Sequence, residues 1–259
     1  MNSKVNADTV VVVIAHNEEH YLYYCLKGVI HQTTAPGKVV VIVHNSEDES
    51  LEIAKRVART TKIPLKVVDF KGEQGVEYAR LESLKHIEDS FSTVLCLDGD
   101  SIPAENWVEV MSQHLKSEKV SLLGSFVKFK GPVICRILNI INTFYVPNTG
   151  IDSIQWIWGP SFGFQRRDIG LIRDFLEKGI SLKSTLGLNS SMEDYIRACL
   201  FFKEKLSTIY SNKESLKVVK NTYVKTYVKE KDNLGVLKRT RKNLDDKKKL
   251  DLHFFNTKI

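Results

Sequence analysis

The chain has 259 residues, 42% of them apolar, enough for a substantial core, and it reads as one globular domain with an extension. No uninterrupted apolar run approaches the ~18 residues of a membrane-crossing helix. The opening MNSKVNADTV lacks the basic flank, apolar centre and small-residue cleavage site of a secretory leader, so a cytoplasmic location is expected. The net charge of +7 is unevenly spread: −2 over residues 1–202 (22 basic, 24 acidic) and +9 over 203–259 (16 basic, 7 acidic). An acidic partner would meet the C-terminal end first.

In chain order, the β-branched run 9–15 (TVVVVIA) reads as a strand buried on both faces, broken at His16-Asn17-Glu18-Glu19. Residues 19–31 space Leu22, Cys25, Leu26, Val29 and Ile30 as a helix, closed by Ala35-Pro36-Gly37. Residues 38–44 (KVVVIVH) are a second such strand. The polar turn 45–48 and a helix carrying Leu51, Ile53, Ala54 and Val57 come next. Then come a strand at 65–70, a helix at 77–89, a strand at 93–97 and, from Glu105, another helix. This alternation predicts an α/β fold: a doubly wound, mostly parallel, Rossmann-like sheet with helices on both faces. The four cysteines (25, 96, 135, 199) are widely spaced in apolar contexts and are expected to be reduced and buried.

In open α/β sheets, ligands bind beyond the carboxyl ends of the strands, and Asp98-Gly99-Asp100 lies at such an end. Two carboxylates at i and i+2, with a glycine permitting an unusual backbone angle, can direct oxygens at one hard divalent cation and its attached diphosphate or ribose. A plain Asp-Gly turn is the competing reading, weakened by the position after a fourth buried strand.

Over roughly residues 8 to 202 the chain resembles the family 2 glycosyltransferases. VVVVIAHNEEHYLYYCLKGVIHQT, VVVIVHNSEDESLEIAKRVA, GVEYARLESL, LCLDGDSIPAENW, WGPSFGFQRRDI and SSMEDYIRACL follow that family's segments in order. The resemblance implies a GT-A fold and transfer of a sugar from a nucleoside-diphosphate donor, UDP-sugar favoured, with Mn2+ or Mg2+. It places Ala15, His16, Asn17, Glu18, His44, Asn45, Arg80, Asp98 and Gly99 at the donor, Asp98 and Asp100 on the metal, and Trp158 and Gly159 in a glycine-rich turn on the acceptor side. Asp194, beside Glu193, becomes the base, and His253 completes the metal shell or is an ordinary histidine beside the hydrophobic Phe254-Phe255. The chain departs from the family at His44, where an aspartate usually contacts the nucleoside. It also lacks a Gln-x-x-Arg-Trp segment and flanking membrane helices, so a single, non-processive transfer is expected. The implied organisation is a transferase domain over 1–210, with a nucleotide-sugar half at about 8–100 and an acceptor half at 101–210, followed by a basic extension over 211–259.

Chemically, breaking a sugar–phosphate bond leaves a diphosphate that needs charge neutralisation, while the acceptor hydroxyl needs a proton acceptor set for in-line attack. One lone base means inversion. Ser190 or Ser191 with Glu193 or Asp194 also fits a helix-capping pattern. Residues 133–146 are amphipathic, suited to packing on the sheet or lying at a membrane interface. KRTRKN (238–243) and KKK (247–249) suit an anionic acceptor: a lipid-linked phosphate at the inner membrane face, the membrane surface itself, or nucleic acid. Two other readings are DNA-base glycosylation through the basic tail and a catalytically degenerate binding protein. A nucleotidylyltransferase is disfavoured because IAHNEE has no glycine-rich phosphate loop.

Overall fold

The computed structural model describes residues 4–117, 120, 122–145, 160–188 and 216–229, with residues 234, 235, 238, 245 and 249. Elements in chain order are β1 (Lys4–Ala15), α1 (Leu22–Ile30), β2 (Thr34–His44), α2 (Ser50–Thr60), β3 (Leu65–Phe70), α3 (Val76–Leu84), β4 (Thr93–Asp98), β5 (Ser101–Pro103), α4 (Trp107–Ser117), β6 (Leu122–Lys130), α5 (Ile134–Tyr145), β7 (Ser161–Gln165), α6 (Ile169–Leu186) and β8 (Leu216–Tyr227). Residues 146–159 and 189–215 fall outside the described residues, and so do Trp158, Gly159, Glu193, Asp194, Cys199 and His253.

The strands form one eight-stranded sheet in the order β3-β2-β1-β4-β7-β6-β8-β5. Its N-terminal half, β3-β2-β1-β4, is parallel throughout, which brings the carboxyl ends of these strands to one edge. Beyond it, β7 runs antiparallel to β4 and β6, β8 is parallel to β6, and the short β5 is antiparallel to β8. The valine run is buried on both faces because the sheet is covered on both. Val10, Val12 and Ile14 point into a core closed by α3 and α6, and Val11, Val13 and Ala15 into one closed by α1, α2 and α4.

Three local expectations change. Ala35-Pro36-Gly37 does not close the first unit but opens β2, pairing with the start of β1. A side chain at Gly37 would come 2.4 Å from the carbonyl oxygen of Ala7, where the register of the two strands shifts. α3 ends at Leu84 in tight turns, Ser83 accepting from His86 and Leu84 from Ile87, so that Ile87 and Phe91 fold into the core. From Ser161 the expected glycine-rich turn is a strand, in which Gly163 lets β7 press on Leu95 and Leu115.

Residues 216–227, read from sequence as part of a basic extension, form β8 inside the sheet. A buried hydroxyl pair, Ser101 to Thr226 at 2.8 Å, fastens β5 to it. Cys25, Cys96 and Cys135 are buried, and no disulfide joins them. Among the described residues no helix is long and apolar enough to cross a membrane.

Candidate active site

Parallel pairing puts the residues after β1, β2 and β4 side by side, and polar bonds lock their loops together. Asn17 donates its N–H to Ser46 Oγ at 3.1 Å and accepts from the Glu47 N–H at 2.9 Å. The Glu18 N–H meets Ser50 Oγ at 2.8 Å, and the Glu19 N–H meets Asp48 Oδ2 at 2.9 Å. Burial works against the Asp48 carboxylate, yet the Ser50 and Glu19 bonds hold it below the usual range. Asn17 (φ 53) and Asn45 (φ 45) are left-handed, a conformation asparagine tolerates better than most residues, and here it turns the chain sharply off each strand.

The place where the family resemblance expects an aspartate is filled by a buried imidazole. His44 stacks on Phe70 at 5.2 Å between centroids, its Nε2–H donates to the Glu73 carbonyl at 2.9 Å, and its own carbonyl accepts from His16 Nδ1–H at 2.8 Å. Burial pushes the His44 pKa below its ordinary value, helped by the neighbouring His16 and Lys71 and opposed by the Glu73 carbonyl. Asn45 spans to the next loop, its Nδ2 donating to Gly72 O at 2.8 Å and its Oδ1 accepting from Gly72 N–H at 3.1 Å. Nothing local in the sequence marks Phe70, Gly72 or Glu73 as partners of His44 and Asn45.

Asp98-Gly99-Asp100 crosses the end of β1. The Gly99 N–H donates to Ile14 O at 2.7 Å. A Cβ on Gly99 would stand 3.1 Å from Ala15 Cβ and 3.2 Å from Glu18 Cγ. Gly99 is absent from the positive-φ residues, so close approach to Ala15 and Glu18, not the unusual backbone angle expected, is what requires a glycine. Asp98 Oδ1 accepts from Arg80 Nη2 at 3.0 Å. Arg80 is buried in α3 with its guanidinium 4.8 Å from the Phe162 ring centroid, so it faces Asp98 and β7. The Asp98 N–H bonds to Pro160 O at 3.2 Å, and Asp100 O accepts from Tyr227 N–H at 3.1 Å.

The C-terminal strand thus reaches the turn directly, and the residues after it reach further. Tyr227 stacks on Tyr21 at 4.6 Å, and the Lys229 ammonium lies 2.6 Å from Glu18 Oε1 and 3.3 Å from His16 O. Glu18 is buried, with Oε2 lacking a hydrogen-bond partner. Burial raises its pKa against the pull of Lys229, and the charges of Asp98 and Asp48 add to the rise. Asn17, Glu18, His20 and Tyr21 line one wall of an open cleft of ≈ 510 Å³, and Gly131, Pro132, Val228 and Lys229 the other.

The structure therefore brings together Ala15, His16, Asn17, Glu18, His44, Asn45, Arg80, Asp98, Gly99 and Asp100 at one edge of the sheet. Tyr21, Tyr227 and Lys229 were missed, although Thr222, Val224, Thr226 and Val228 carry a period-two β-branched pattern that marks a strand inside the basic segment. Among the described residues no group of three His, Cys, Asp or Glu stands placed to hold a metal ion.

Comparison with known proteins accords with this architecture. The sequence model of Glycosyl transferase family 2 matches residues 10–169. A search of curated proteins gives no match. Solved structures with the same GT-A fold include S. aureus TarS in complex with UDP-GlcNAc, at 18% identity and TM-score 0.56 over 86% of this chain and 59% of that one. A mannosyltransferase from Pyrobaculum calidifontis in complex with GDP-Man and Mn2+ gives 17% identity and TM-score 0.55 over 84% and 56%. Glucosyl-3-phosphoglycerate synthase from Mycobacterium tuberculosis, in complex with Mn2+, UDP-glucose and phosphoglyceric acid, gives 14% identity and TM-score 0.53 over 90% and 75%. The chain spans about three fifths of the TarS chain.

Proposed function

The chain belongs to glycosyl transferase family 2, and from that premise we propose that it transfers a single sugar from a nucleoside-diphosphate sugar to an acceptor hydroxyl, with inversion and with the help of a divalent cation. The observation that carries this reading is the Asp98-Gly99-Asp100 turn, set across the end of β1 beside the loops after β1 and β2 and within the matched region. UDP-, GDP- and Mn2+-bound structures of the same fold support a nucleotide-sugar donor and a cation, and a UDP-sugar is favoured.

Asp98 and Asp100 are the residues that would hold Mn2+ or Mg2+, with His253 as a further ligand. Two carboxylates suffice because such ions are commonly bound by one or two of them together with substrate phosphates and water. When bound, the cation neutralises charge on the departing diphosphate. Arg80 sets the Asp98 carboxylate, and His16, Asn17, His44 and Asn45 surround the nucleoside. Asp194 takes the acceptor proton as the acceptor oxygen bonds to the anomeric carbon and the carbon–phosphate-oxygen bond breaks. Glu193 adjoins it, and Trp158 and Gly159 face the acceptor. An in-line displacement with one base inverts the anomeric centre. The basic C-terminal segment favours an anionic acceptor or acceptor surface.

The test is a panel of UDP-, GDP-, dTDP- and CMP-sugars with Mn2+, Mg2+ or EDTA, read by thermal shift and donor hydrolysis on wild type, Asp100→Ala and Asp194→Asn. A cation-dependent response to one nucleotide, lost in Asp100→Ala, is expected. Asp194→Asn should retain nucleotide binding and lose turnover. Absence of any response across the panel rejects the reading.

A further inference from the structure

The face of the molecule beside the cleft is built from β6, α5 and β8, and its chemistry is one-sided. Residues 122–145 and 216–229 contain seven Lys and Arg and no Asp or Glu. Among the described side chains of α5, those at 135 and 139 hold it to the sheet. Cys135 is buried, and the Asn139 side chain grips β6 twice, accepting from the Phe129 N–H and donating to the Phe129 carbonyl, both at 2.8 Å. This clamp acts beyond the part of β6 that β7 covers, residues 122–124. The other side of the helix and its lead-in present Val133, Ile137 and Ile140 to solvent at 63%, 55% and 58% exposure, a stripe at i, i+4 and i+7. Arg136 lies exposed beside it, and Lys130 is exposed at the end of β6 next to it. The stripe starts immediately after Pro132, which lines the cleft.

We propose that this face docks the protein onto the surface of a bilayer containing anionic lipids, with Val133, Ile137 and Ile140 entering the headgroup–acyl boundary and Lys130 and Arg136 meeting lipid phosphates. The proposal goes beyond sugar transfer and uses none of the donor chemistry. An exposed aliphatic stripe ringed by cations is the pattern of an interfacial amphipathic helix. A nucleic acid would satisfy the cations and leave the isoleucines in water. A second copy would set like charges against each other across the contact. In this orientation the cleft opens beside the bilayer surface, suited to an acceptor presented there.

The experiment is co-sedimentation of the full chain with vesicles of phosphatidylcholine alone and of phosphatidylcholine mixed with phosphatidylglycerol, at low and high salt. Binding is expected to the mixed vesicles and to weaken with salt. Ile137→Glu/Ile140→Glu and, separately, Lys130→Glu/Arg136→Glu should each weaken it by roughly tenfold or more, with donor hydrolysis in solution unchanged for the first pair. An environment-sensitive dye at Ile137→Cys should shift to the blue on the mixed vesicles. Failure to bind them, equal binding by the Ile137→Glu/Ile140→Glu variant, or a dye that stays in water would overturn the proposal. So would a dimer in sedimentation velocity that those two substitutions dissolve.

Discussion

Lys229, two residues past the end of β8, holds its ammonium 2.6 Å from Oε1 of Glu18, the buried carboxylate in the turn after β1. The pair joins the C-terminal strand to the loop where the donor is proposed to bind, and its partners differ in cost. Glu18 is buried and its pKa is raised, so keeping it ionised costs more than Lys229 returns. A raised folded-state pKa means that the stability Glu18 lends is fully present below its unfolded value of 4.5 and is lost as pH rises through the folded value. Lys229→Met should therefore lower stability by about 1 kcal/mol at neutral pH. Glu18→Gln, which keeps an acceptor for Lys229, should be as stable as wild type or more so, with a flatter fall between acid and neutral pH. Urea melts across pH check both, and a large loss in Glu18→Gln at neutral pH would show that the ion pair outweighs burial.

His44 carries the opposite sign. Its folded-state pKa lies below the ordinary 6.5, so the stability it lends is present above that value and is lost as pH falls through the folded one. Protonation would also put a charge between His16 and Lys71. His44→Gln should flatten the decline in melting temperature on the acid side of neutrality and weaken nucleotide binding at neutral pH, since the Phe70 stack would go. Melting curves and nucleotide titrations at matched pH separate these effects.

Gly99→Ala tests why the central residue of the turn is a glycine. The new methyl would sit 3.1 Å from Ala15 Cβ and from Ile14 O and 3.2 Å from Glu18 Cγ. Something must shift by a few tenths of an ångström, and an overpacking cost of about 1–2 kcal/mol is expected. The cation-dependent donor response should fall further than stability alone explains, because Asp98 and Asp100 ride on the displaced segment. A variant with wild-type melting and wild-type donor response would show that the turn has room to spare.

The parallel half of the sheet is legible because β1 and β2 contain β-branched runs, β4 is a short apolar run, and the helices between carry apolar residues at helical spacing. Asp98-Gly99-Asp100 stood out because it interrupts such a run. The non-local partners were not legible. Nothing local in TYVK says that Tyr227 will stack on Tyr21 or that Lys229 will meet Glu18, since both depend on β8 entering the sheet beside β6 and β5. The lysines at 217, 220, 225 and 229 made that segment look like a solvated tail, while the alternation from Thr222 to Val228 carried the strand signal. At Gly99 the sequence marks the turn but not the reason for its glycine, because close approach leaves no mark in a single sequence.

Arg80 and Asp98 give the sharpest separation of charge from geometry. The guanidinium is buried, 3.0 Å from Asp98 Oδ1 and 4.8 Å from the Phe162 ring centroid, so it serves a carboxylate and an aromatic face at once. A lysine preserves the charge but has neither the planar fork nor the flat surface for the ring. Arg80→Lys should fold with a modest loss in melting temperature and lose roughly tenfold in cation affinity, because Asp98 is no longer held in one orientation. Arg80→Met removes the charge as well and should cost about 1–3 kcal/mol, below the range for a fully buried pair because Asp98 is partly exposed. Paired measurements of unfolding free energy and Mn2+ affinity distinguish the two variants. If Arg80→Lys matches wild type in both, the arginine contributes only its charge, and the proposed positioning of Asp98 fails.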